Sequence, residues 1–160
     1  MGIDIERKFL IDRHIWRPTG TGTLIRQGYL SAARERVVRV RLAGVRAFLT
    51  IKGLTDDHIT RLEFEYPIPV EDAAMLLDRV CERPLLEKTC HEEKVGSHVW
   101  EIDVFHGDND GLIVAEIELD DPHESFERPD WLGVEVSDDP RYLNVNLAAR
   151  PFTRWDRRGD

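Results

Sequence analysis

Lysine is scarce in this sequence, four residues against eighteen arginines, and cysteine is scarcer still, with only Cys81 and Cys90. Two thiols supply neither a disulfide framework nor a cysteine-rich zinc site. The six histidines, His14, His58, His91, His98, His106 and His123, show no HExxH spacing, which removes that zinc signature as well. No apolar run approaches the ~20 residues that a membrane-spanning helix needs. Met1 leads straight into charged residues rather than a signal peptide, so a cytoplasmic location with no membrane partner is expected. An excess of basic charge is also missing. The formal net charge of −9 argues against binding to a nucleic-acid polymer, although a local basic cluster can persist within an acidic chain.

What is present suits one domain with a sizeable core: 160 residues, 41% of them hydrophobic, with no internal repeat and no low-complexity stretch. The dominant local signal is alternation. In Asp4-Ile5-Glu6-Arg7-Lys8-Phe9 a strand would put Asp4, Glu6 and Lys8 on one face and Ile3, Ile5, Arg7 and Phe9 on the other. The pattern returns in Arg39-Val40-Arg41-Leu42, Arg61-Leu62-Glu63-Phe64-Glu65, Glu101-Ile102-Asp103-Val104 and Glu116-Ile117-Glu118-Leu119, while Lys52 and Lys88 close two further runs.

About eight strands are expected, over 2–11, 24–30, 37–42, 46–52, 60–68, 85–92, 98–105 and 111–119. A helix is expected over 70–80, from the apolar spacing of Ala73, Leu76, Leu77 and Val80. A closing helix is expected over 140–149, with a short amphipathic piece around Phe126. The tryptophans Trp16, Trp100, Trp131 and Trp155 read as packing residues. The fold class is mainly β: a closed eight-stranded antiparallel barrel with a few flanking helices, in which closure removes exposed edges. Residues 1–150 form the single domain and 151–160 a tail.

The charged faces then line the inside of the barrel. Buried charge is costly unless it is paired, hydrated or given a ligand. Two arrangements satisfy that condition: internal ion pairs with no ligand, or a wet cavity that binds something. Carboxylates paired on strands, without histidine or thiolate beside them, form a hard oxygen donor set suited to Mg2+ or Mn2+. Lys and Arg in the same cavity suit an anion with many oxygens. Together they describe a metal-bridged polyphosphate.

These residues carry a family resemblance. Asp4-x-Glu6-x-Lys8 resembles the N-terminal ExExK signature of the CYTH domain, or triphosphate tunnel metalloenzyme, superfamily, which includes inorganic triphosphatases, thiamine triphosphatases and class IV adenylate cyclases. The similarity continues through Gln27-Gly28-Tyr29-Leu30, Val38-Arg39-Val40-Arg41, Leu49-Thr50-Ile51-Lys52, Glu87-Lys88-Thr89 and Ala115-Glu116-Ile117-Glu118-Leu119 to Arg141-Tyr142-x-Asn144. It is strongest to the small bacterial inorganic triphosphatases. The resemblance implies that Asp4, Glu6, Glu116 and Glu118 hold divalent metal, that Lys8, Arg39, Arg41, Lys52, Arg61 and Lys88 hold triphosphate, and that Glu6, Lys8, Glu116 and Glu118 take part in catalysis. Tyr29, Glu63, Glu65 and Asp103 are secondary candidates.

The expected activity is hydrolysis of inorganic triphosphate to pyrophosphate and phosphate. The alternatives are a nucleoside or thiamine triphosphatase, an adenylate cyclase, or a non-catalytic module that binds polyphosphate or nucleotide. A homodimer is left open. Two positions depart from the family pattern: Asp4 stands where Glu is usual, one methylene shorter, and Cys90 where a related chain carries Arg.

Overall fold

The computed structural model describes residues 2–155. Nine strands follow in chain order: β1 (Gly2–Ile11), β2 (Thr23–Ala33), β3 (Arg36–Ala43), β4 (Arg46–Leu54), β5 (Thr60–Ile68), β6 (Leu86–Val95), β7 (His98–Phe105), β8 (Ile113–Glu118) and β9 (Leu132–Glu135). Helix α1 (Val70–Arg79) lies between β5 and β6, and helix α2 (Asn144–Ala149) near the end. The first eight strands form an antiparallel ring in the order β5-β4-β3-β2-β6-β7-β8-β1, closed by pairing of β1 with β5. Tight hairpins join β2 to β3, β3 to β4 and β6 to β7; Gly44 and Gly96, both with φ near +60°, occupy the left-handed turn positions of the last two.

The ninth strand lies outside the expected set. One edge of β1 pairs with β5 from Gly2 to Ile5 and then with β9 at Phe9 and Ile11, while its other edge pairs with β8 from Glu6 to Leu10. β9 thus takes over the hydrogen-bonding edge of β1 where β5 leaves it. Its four residues carry too short an alternation to signal a strand on their own.

Period-2 alternation sorts the side chains as expected. Outward apolar residues pack under the flanking segments in two clusters. Val40 and Ala47 meet Ala73 and Leu77 of α1, and Phe9, Trp100, Ile102, Ala115 and Ile117 meet Trp16, Trp131 and Leu119. The piece around Phe126 forms no helix; its ring instead lies edge-on to Phe9 and Trp100, with the Arg7 and Arg128 guanidinium groups over it. Trp16 and Trp131 both donate to the Glu93 carboxylate, which satisfies two buried indole N–H groups with one acceptor.

Inside the barrel, one end is apolar. Tyr29, Val37, Leu86, Phe105 and Val114 share the inward parity of the charged residues but gather against Tyr142, Leu147 and Ala148. The expected closing helix is in fact two pieces, a 3-10 turn over Pro140–Tyr142 and α2, interrupted at Leu143 with ψ 134°. The break turns both Tyr142 and Leu147 into the barrel end, which one continuous helix over 140–149 would not do. Of the expected tail, Phe152 and Trp155 pack against this cluster, and 156–160 lie outside the described residues. No helix among the described residues is long and apolar enough to cross a membrane.

Candidate functional site

With one end filled, the charged residues surround a cavity of about 700 Å3 that opens at the other end, where β1 and β4 begin and β5 and β8 finish. Asp4, Glu6, Arg39, Arg41, Lys52, Glu63, Glu65, Lys88, Asp103, Glu116 and Glu118 all line it, each placed there by the alternation of its strand. Lys8, Arg61 and Tyr29 sit deeper, in a narrow recess of about 30 Å3 that they share with Glu6, Arg39 and Lys52. Glu101, which the alternation also sent inward, stands exposed on the rim.

The cations are held unequally. Lys88 Nζ donates to Asp103 at 2.7 Å, both groups fully buried, so this pair is largely self-satisfied. Lys8 donates to the Tyr142 carbonyl at 2.9 Å and stands 3.4 Å from Glu116. Lys52 has only looser partners, Asp4 at 3.7 Å and Glu63 at 3.9 Å. Arg39 donates to the Thr50 hydroxyl at 3.2 Å and lies 3.5 Å from Glu65, to which that hydroxyl donates in turn. Arg41 donates to Gln27, whose amide donates to the Tyr29 hydroxyl. Tyr29 therefore both closes the apolar end and anchors this chain of contacts.

Gln27 and Thr50, each fully buried, orient the two arginines and were absent from the expected site. Their inward parity with Tyr29 and Lys52 was the available signal. Asn144, part of the run Arg141-Tyr142-x-Asn144 that carries the resemblance, lines both the main cavity and the recess.

Three buried polar atoms facing this space have no hydrogen-bond partner: Asp4 Oδ2, Arg39 Nε and Asn144 Oδ1. Native interiors rarely leave such groups unmet, so they mark places where water, an ion or a ligand completes the bonding. The acids repel one another as well. Burial, reinforced by the Glu6 carboxylate, pushes Asp4 up to about 8, and burial together with Glu116 raises Glu6. Burial also opposes ionisation of Glu116, yet Lys8, Lys88, Lys52 and Arg41 outweigh it and hold that carboxyl at about 2. Arg39 is lowered from its ordinary value by burial and then by Arg41. A divalent cation among the acids and an anion among the bases would relieve both repulsions.

The donor set fits Mg2+ or Mn2+ by chemistry, being entirely oxygen. Among the described residues no three acids or histidines are gathered into a ready metal cage. A hydrated divalent cation does not need one, since it is held by one or two carboxylates together with substrate phosphates. Cys90 stands directly across from Asp103 in the β6–β7 register, half-buried in the wall of a second cavity with its thiol 3.9 Å from Glu101; burial, then the Asp103 and Glu101 carboxylates, push that thiol up from its ordinary value.

The family model of the CYTH domain matches residues 2–152. An inorganic triphosphatase of Acetivibrio thermocellus is 44% identical over 155 residues, covering 97% of this chain and 99% of that protein. An inorganic triphosphatase of Nitrosomonas europaea is 34% identical over 151 residues, covering 91% and 96%. A solved inorganic triphosphatase structure superposes with a TM-score of 0.63 at 34% identity, over 91% of this chain and 93% of its own. A Pyrococcus furiosus protein at 18% identity shares the fold with a TM-score of 0.55, over 74% and 79%. On the strength of the family match across nearly its whole length, this chain belongs to the CYTH domain family.

Proposed function

We propose that the chain is a divalent-metal-dependent inorganic triphosphatase, that it releases pyrophosphate and phosphate, and that the single domain of 1–150 carries the activity. The observation that bears most weight is the cavity of about 700 Å3, in which Arg39, Arg41 and Lys52 face Asp4, Glu6, Glu116 and Glu118 with bonding capacity left unfilled. The two similar proteins named inorganic triphosphatase support the same substrate.

Arg39 and Arg41 present guanidinium forks to phosphate oxygens, and Thr50 and Gln27 hold those forks in place. Lys52, loosely tied, is the most available point charge. Lys8 and Arg61 meet the end of the chain that reaches the recess. As the bridging P–O bond breaks, negative charge grows on the departing oxygen, and fixed cations already in position stabilise it without reorganising. Asp4, Glu6, Glu116 and Glu118 would hold Mg2+ or Mn2+, which supplies phosphate polarisation and a more acidic water.

The test is phosphate release from inorganic triphosphate, ATP and thiamine triphosphate, each with Mg2+, Mn2+ or EDTA. Rapid release from inorganic triphosphate that stops in EDTA is expected. Tight triphosphate binding without release in either metal would make the site a recognition module instead.

A further inference from the structure

The charge lining the barrel changes sign along its length. Toward the opening, the inward residues of β3 run Arg39, Arg41, Ala43, and those of β6 run Lys88, Cys90, Glu92. On β4, Lys52 and Thr50 give way to Phe48 and then Arg46, whose guanidinium lies over the Phe48 ring at 5.1 Å. Past Arg41 and Lys88 the space continues into an outer cavity of about 680 Å3, and Ile25 and Glu101 belong to the walls of both, so the two adjoin. Among the residues lining the outer cavity Arg46 is the one permanent cation, set against the carboxylates of Glu92 and Glu101.

Those two acids are placed where they repel. Glu92 stands directly across from Glu101 in the β6–β7 register, and Glu101 directly across from Glu116 in the β7–β8 register, which makes a row of three carboxylates over neighbouring strands. Like charges directly opposite one another destabilise a sheet. Burial, then Glu116, Asp103 and Glu6, push the Glu101 carboxyl up to about 7. Such an arrangement works against any anion that reaches it.

A longer linear phosphate carries more charge and more oxygens than triphosphate, so a uniformly basic tunnel would hold it more tightly. Here every phosphate beyond the last inner cations is driven toward Glu101 and Glu92. Discrimination of this kind comes from a repulsive element set against the competitor.

Resting on triphosphate binding in the inner cavity, we infer that Glu101 and Glu92 form an electrostatic stop at the barrel mouth, which sets substrate length by rejecting linear phosphates that outrun the inner cations. The stop acts on the added phosphates alone.

Inorganic tetraphosphate and a long-chain polyphosphate are the probes, used at fixed free Mg2+ as competitors of triphosphate hydrolysis and titrated by calorimetry beside triphosphate itself. The pH is ~8.5, where Glu101 is ionised. The wild type is compared with Glu101→Gln and Glu92→Gln, both at exposed positions and both nearly constant in shape. The wild type is expected to bind either longer anion more weakly than triphosphate. Each substitution is expected to tighten the longer anions by about 5-fold, the scale of one like-charge contact in water, while the triphosphate KM stays within about 2-fold. A wild type that holds tetraphosphate as tightly as triphosphate, or longer anions unmoved by both substitutions, overturns the stop. An equal gain for triphosphate overturns it as well, since the acids would then weigh on the cradle instead of limiting its length. If triphosphate is not hydrolysed but calorimetry gives the expected order of affinities and its shift in the variants, the hydrolase function fails and the stop stands. Hydrolysis of triphosphate with tetraphosphate bound more tightly leaves the hydrolase function and removes the stop.

Discussion

Four cations, Lys8, Lys88, Lys52 and Arg41, keep the Glu116 carboxyl ionised against the pull of its own burial. Glu116→Gln removes that charge at nearly constant shape. Turnover of inorganic triphosphate is expected to fall by about 100-fold or more, the cost of losing one fixed electrostatic partner in an active site. The circular-dichroism spectrum should stay unchanged. Retained turnover would take Glu116 out of the machinery. The proposed function gives Arg41 a part in substrate binding rather than in shape. Arg41→Ala is expected to raise the KM for triphosphate by about 10-fold, since charge-assisted hydrogen bonds each contribute roughly 1.5–3 kcal/mol. Gln27→Ala should produce the same change in smaller measure, because it loosens the guanidinium without deleting it. The inward positions of these charges were legible in the sequence where a charge alternated with apolar residues, as at Arg39-Val40-Arg41. The uncharged residues Gln27 and Thr50 escaped, because a neutral polar residue inside an alternating run looks the same whether it faces a cavity or the solvent.

At the scale of elements, α1 and α2 do different work. α1 covers the outside of the barrel, with Leu77 and Ala73 buried against Val40 and Ala47. Leu77→Ala is expected to cost about 2–5 kcal/mol in chemical denaturation, the usual range for a buried leucine, while the kinetic constants of the folded protein hold. α2 seals the inside. Leu147 is fully buried in the apolar end, in the same cluster as Tyr142, whose carbonyl receives the Lys8 ammonium. Leu147→Ala should therefore lose both stability and turnover. A stability loss alone, measured in the same two assays, would uncouple the plug from Lys8. The spacing of Ala73, Leu76 and Leu77 foretold α1, because a helix on a flat apolar surface needs only a regular stripe. Over 140–149 one helix was expected where there are two pieces. Leu143 adopts an extended conformation there, and the demand for it comes from the barrel end that Tyr142 and Leu147 enter.

For the molecule as a whole, concentrated acid makes stability depend on pH and on metal. Asp4 sits at about 8 in the folded chain against an ordinary 3.8. A carboxyl raised on folding binds its proton more tightly in the native state, so stability falls as pH climbs from about 4 toward 8. Glu6 moves in the same direction. Glu116, depressed to about 2, works the other way: its contribution is complete above pH ~4.5 and is lost as the pH drops toward 2. In EDTA the thermal midpoint should therefore be higher near pH ~5 than near pH ~8.5. Added Mg2+ or Mn2+ should raise it strongly at the higher pH, where the acids are ionised, and little at the lower. A midpoint flat across that range in EDTA would show that the acids do not repel one another in the folded chain.

Alternation is a property of neighbouring residues. The sequence by itself therefore determined which side chains share a face, that the strands number about eight, and that acids and bases line one interior. Which part of that interior is open was decided only by the tertiary structure. Tyr29, Val37, Leu86, Phe105 and Val114 have the same inward parity as the charged residues, and they become a plug only because Tyr142 and Leu147 arrive from the far end of the chain. The ninth strand and the outer cavity beside Phe48 arise in the same way. Contacts between residues distant in sequence leave no periodic trace for local reading to detect.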